Sequence, residues 1–143
     1  GGHDPYAGVD VAGKVVLLLA GDPDGEAGAD LGFEGRRLTY AGRVGIKMAA
    51  AAKAGAVGAI VLHEDFAASY PLAQLVGTER VAQMVPGATT FGGAFRFASW
   101  IEGGLGQRLL AAAGLDLARA KAAARKADFR ALPLPATATA KPA

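Results

Sequence analysis

His63, Glu64 and Asp65 follow one another directly at the end of the apolar run AIVLH, residues 59–63. A histidine beside two carboxylates offers a general base, a proton relay or part of a metal site. The spacing argues against the metal. Consecutive strand residues face opposite sides of a sheet, so His63 and Glu64 do not reach one ion without a bend. The other histidine, His3, stands near the start of the chain, and a zinc site needs three or four ligands. The expected role of His63 is to end a strand, with the neighbouring acids in solvent.

Other patterns touch chemistry and fall short. Asp22, Asp24 and Glu26 begin like a calcium-binding loop with alternate oxygen ligands. Its sixth and twelfth positions fall on Ala27 and Phe33, where glycine and glutamate are required. Gly104-Leu105-Gly106 mimics part of a dinucleotide fingerprint, but Leu109 occupies the third glycine position. It reads as a helix start. Ser69 and Ser99 are the only serines, and neither sits in a nucleophile elbow. Trp100 is most simply a core or interface anchor.

Those residues must be positioned by a chain of 143 residues, enough for one domain with its own core. The apolar fraction of 52% excludes disorder, although alanine and the 21 glycines inflate it. Net charge is +2. The basic residues form no cluster with interleaved aromatics, so nucleic acid is not an expected partner. The absence of cysteine removes disulfides, thiol nucleophiles and thiolate metal ligands. No apolar run approaches the roughly 18 residues of a membrane-spanning helix. No signal-peptide pattern is visible either. The chain opens on Gly1-Gly2 without methionine, which suggests a piece of a longer protein.

Hydrophobic patterning gives the elements. VVLLLAG, residues 15–21, reads as a strand buried on both faces. Residues 22–37, rich in Asp, Gly and Pro, read as a long loop, a place where function often resides. Thr39 can cap a helix starting near Tyr40, with Ile46, Ala49, Ala50, Lys53 and Ala54 at helical spacing and Gly55 as its stop. The strand 59–63 follows, making a βαβ-like crossover that favours parallel pairing. Residues 88–102 carry β-branched and aromatic residues suited to short strands. Two short Ala-rich helices follow Leu105, divided at Gly114 and with Asp116 as a cap. The tail 129–140 alternates apolar and small residues around prolines, as an edge strand would beside the incoming region.

Three segments, taken in order, resemble a known family. They are YAGVDVAGKVVLLLAGDP (6–23), FEGRRLTYAGR (33–43), and KMAAAAKAGAVGAIVLHE (47–64) followed by SYP (69–71). Together they are similar to the protease-associated (PA) domain of bacterial secreted zinc aminopeptidases, in the superfamily of glutamate carboxypeptidase II and the transferrin receptor. The resemblance is specific over residues 6–71 and looser through the tail. It implies an α+β domain, a curved mixed sheet or open barrel flanked by short helices. Residues 6–103 would be the core and 104–143 a helical return with an edge strand, within a single domain spanning 1–143.

The resemblance further implies a module without catalytic residues or cofactor, the zinc belonging to a peptidase domain of the same parent chain. Its role would be to cover or shape the substrate cleft and to meet peptide or protein, in a secreted or periplasmic setting. Residues for that surface are Asp22, Asp24 and Arg37 in the long loop, with Arg43, His63 and Tyr70. Two alternatives stay open. One is a free-standing small-molecule-binding α/β domain, or a hydrolase using His63. The other is a PA domain of the sorting-receptor kind, built for protein interaction.

Overall fold

The computed structural model describes residues 4–22, 39–68, 70–74, 95–126 and 128–139. Its centre is an open sheet of three strands in the order β1-β2-β3, formed by Val15–Leu19, Gly58–His63 and Phe97–Glu102. Both pairings are parallel, with Val16 beside Ala59 and Val61 beside Trp100. This is the expected α+β architecture in its open-sheet form. Among the described residues every strand pair is parallel. The crossover between β1 and β2 carries helix α1, Val44–Lys53. A single turn, α2 (Asp65–Ala68), follows β2, and α3 (Gly103–Ala112) and α4 (Leu117–Ala124) follow β3.

The strands form where β-branched and leucine side chains concentrate, and β2 lies between its two neighbours. Alternation sends Val16, Leu18, Ala59, Val61, Ala98 and Trp100 to one face, where they pack with Met48 and Ala51 of α1. Leu62 and Ile101 point the other way and meet α3 at Gly106. Helices thus cover both faces of β2, five of whose six residues are buried. Met48, Val61 and Leu62 are among the largest fully enclosed side chains. Each contributes about 1.5–3 kcal/mol by leaving water.

Two expectations need correction. The first helix begins at Val44 rather than Tyr40, because Thr39 organises a turn instead of a helical cap. The Thr39 carbonyl accepts the Gly42 N–H at 3.2 Å, and the Tyr40 carbonyl accepts that of Arg43. Within α1, Ala49, Ala50 and Lys53 are exposed, and the core side runs through Met48 and Ala51.

The second correction concerns residues 132–139, which form no strand. Pro133 and Pro135 remove two amide donors within a few residues, and the Leu134 carbonyl turns back onto the Ala136 N–H at 2.8 Å. The outgoing segment still meets the incoming one, through the Ala131 N–H and the Pro5 carbonyl at 2.7 Å. Other expectations hold. Gly55 ends α1 with φ +97° and Gly114 separates α3 from α4 with φ +76°, both in the left-handed region. Asp116 caps α4, its carboxylate accepting the Arg119 N–H at 2.8 Å.

Gly106 sets how closely α3 approaches the sheet. A β-carbon there would overlap the terminal carbons of Leu62, whose Cγ would lie at 2.6 Å, and Leu62 is enclosed on all sides. Gly106→Ala should therefore destabilise the domain by about 1–3 kcal/mol through forced repacking. Gly45→Ala is the contrasting case, in an exposed first turn of α1 with open space around it. It should stabilise by up to about 1 kcal/mol through helix propensity. Urea unfolding of both variants checks the pair of signs.

Candidate functional site

The carboxyl ends of the three parallel strands converge on one edge of the sheet, where open α/β sheets usually hold their ligands. At the end of β2, His63 is only 2% exposed. Its Nε2 lies 2.9 Å from the Tyr70 carbonyl oxygen, so the tautomer that satisfies this contact carries its proton on Nε2. The Asp65 carboxylate is 3.3 Å from the same nitrogen. The two rings meet at 5.1 Å between centroids. His63 Nδ1 is enclosed with no hydrogen-bond partner among the described residues. A general base must reach the proton it takes. This imidazole is walled off and anchors the segment after α2, and Asp65 adds to that anchorage by accepting the Leu72 N–H at 3.2 Å.

Glu64 departs from the expected solvated acid. It points to the opposite face, and its carboxylate pairs with Lys121 of α4 at 2.5 Å. Both side chains are largely covered. Gly103, at the start of α3, leaves room for the Glu64 stem, since a β-carbon there would sit 3.3 Å from its Cγ. The glycines of the Gly103-Gly104-Leu105-Gly106 stretch thus include two whose lack of a side chain serves helix-to-sheet packing.

At the end of β1, Asp22 ties the strand exit to the approach to α1. Its Oδ2 accepts the Thr39 N–H at 2.6 Å and its Oδ1 accepts the Thr39 hydroxyl at 2.9 Å. A β-carbon at residue 42 would overlap this carboxylate, which explains glycine there. Arg43 precedes α1 with its guanidinium 5.8 Å over the Tyr40 ring, a cation–π contact on an exposed rim. Asp24 and Arg37 lie outside the described residues. The structure thus brings His63 and Tyr70 into contact, and gives Asp22 and Arg43 separate partners.

Lys47 was not singled out by sequence reasoning. Its ammonium donates to the Leu19 carbonyl at 2.9 Å and to the Gly21 carbonyl, closing the end of β1 from the first turn of α1. Burial lowers its proton affinity below that of an ordinary lysine, and the negative charge of Asp22 partly opposes the effect. Its place follows the helical period once the buried face of α1 is known. Lys47 precedes Ala51 by four positions, so it lies on the core-facing stripe. Lys47, Asp22, Glu64 and Lys121 line a cleft at the strand ends together with Arg125.

Among the described residues no group of three or more His, Asp or Glu side chains is gathered to hold a metal ion. No described helix is long and apolar enough to cross a membrane. Comparison with family models, curated proteins and solved structures returns no match to this chain.

The sign of the Lys47 effect can be tested. Its folded-state proton affinity is lowered, so the unfolded chain binds the extra proton between that value and the ordinary one of about 10.4. Stability contributed at this group therefore rises with pH through that window. Tyr6 works oppositely, because burial raises its value. The difference between the wild type and Lys47→Met cancels Tyr6. It should shift in favour of the wild type as urea unfolding is repeated from about pH 8 to about pH 10.5.

Proposed function

We propose that this chain is a noncatalytic protease-associated domain of a zinc-dependent aminopeptidase, covering or shaping the substrate cleft and meeting peptide or protein. The observation that carries this reading is the hydrogen bond from the Ala131 N–H to the Pro5 carbonyl at 2.7 Å. A domain spliced into a host must leave close to where it arrives, and these segments flank the whole sheet. The motif order across residues 6–71 supplies the particular family.

The chemistry at the strand ends supports a module that binds rather than reacts. The Nε2 of His63 is engaged by a backbone carbonyl, Glu64 by Lys121, and both oxygens of Asp22 by Thr39. On this reading Arg43 and Tyr40 form part of the exposed rim available to the peptidase domain or its peptide. The zinc and the catalytic acid belong to that other domain, and the parent protein is secreted or periplasmic.

Two measurements test the reading. The chain alone, supplied with zinc, should hydrolyse no aminoacyl-nitroanilide. Zinc-dependent turnover that disappears in His63→Ala would overturn it in favour of a hydrolase. The reading frame on either side of this segment should encode the two portions of a zinc peptidase domain. A frame encoding a sorting receptor would instead assign the sorting-receptor kind of PA domain.

A further inference from the structure

The sheet is open at β3. β2 takes one edge of that strand, and among the described residues no strand lies along the other. The side chains agree with an edge left free. Most of β2 is buried, whereas every residue of Phe97–Ile101 is partly exposed and Glu102 is exposed. Trp100 is partly exposed although its indole N–H is enclosed, so what it offers to the surface is apolar. A free edge presents backbone N–H and C=O groups that another strand can satisfy.

The residues along that edge complement a second copy of themselves. Two copies of the segment RFASWIE, residues 96–102, laid antiparallel about Ser99 bring Arg96 opposite Glu102, Phe97 opposite Ile101 and Ala98 opposite Trp100. Directly opposite residues share a face in an antiparallel pair, so each contact forms twice, once on either side of the two-fold axis. Charge meets opposite charge at both ends, and a small residue faces the indole. Arg96 and Glu102 are exposed, and among the described residues neither has an ion pair. Shifting the register sets Arg96 against Trp100, or Glu102 against Ala98, and forfeits both ion pairs. An in-register parallel pairing would set like charges side by side.

We propose that β3 is a dimerisation edge, two copies of this chain joining through antiparallel β3 strands centred on Ser99 with Arg96 of each paired to Glu102 of the other. The sheet then runs continuously through both protomers. This inference is independent of the peptidase reading and holds whether the domain works within a larger enzyme or alone.

Sedimentation equilibrium of the full chain over a rising concentration series should show reversible association of monomer to dimer. Glu102→Arg and Arg96→Glu each replace two attractions by two repulsions and should weaken the dimer by at least about tenfold. Mixed together, these two variants regain both opposite-charge pairs, so their equimolar mixture should associate as the wild type does. The chain has no cysteine, so Ser99→Cys introduces a single thiol. Across the axis its α-carbon would lie about 4.5–5.5 Å from its counterpart, within the span of a disulfide. Mild oxidation should therefore link Ser99→Cys into covalent dimers, while Gly45→Cys on the exposed first turn of α1 stays monomeric. A wild type that remains monomeric throughout overturns the proposal. So does a dimer indifferent to both charge reversals, or a mixture that fails to recover association. If a reversed variant does not fold, the Ser99→Cys link decides, and its absence overturns the interface.

Discussion

The structure depends on covering β2 from both sides. A strand in the middle of a parallel sheet has no solvent face, so each face needs a helix laid across it. Met48 and Ala51 of α1 fill one side, and α3 comes down on the other at Gly106 against Leu62. Small residues at these contacts allow the backbones to approach, which is how a sequence so rich in alanine and glycine still builds a core. The helices are short because they need only span strands of five or six residues.

That layering directs the polar chemistry. With both faces covered, charged side chains near the sheet collect where the strands end. There the backbone groups of β1 and the carboxylates must find partners within the protein. Lys47 closes the end of β1, Asp22 ties it to Thr39, and Glu64 reaches Lys121. His63 is drawn in by the Tyr70 carbonyl. These bonds link elements far apart in sequence. They hold the approach to α1, the exit of β2 and helix α4 around one cleft. A module of this kind presents a shaped, charged edge rather than a reactive group, which suits the accessory role proposed for it.

Parts of this arrangement were legible in the residues. VVLLL reads as a strand because five apolar residues in succession suit a sheet position under cover, and the structure assigns that run to β1. Gly55 and Gly114 mark helix ends because other residues resist a positive φ. Asp116 announces a cap through the side-chain oxygen its neighbouring amides need. Misreadings arose where a distant partner intervened. Thr39 has the type of a helix cap, and its hydroxyl oxygen does accept the Gly42 N–H, but Asp22 holds its N–H and hydroxyl and the residues it caps form a turn ahead of the helix. Pro133 and Pro135 fit an edge strand one at a time, but together they leave too few donors for a ladder.

By itself the sequence determined strands β1 and β2, the crossover between them, and the helix-end signals at Gly55, Gly114 and Asp116. Each follows from periodicity, turn chemistry or the alternation of a strand, all of which act over a few residues. The tertiary structure decided which face of α1 is buried, that Glu64 is paired rather than solvated, and that Lys47 sits desolvated at the strand ends. It also brought Pro5 beside Ala131. Burial and long-range pairing depend on which surfaces meet after the chain has closed on itself. No pattern confined to one short segment carries that information.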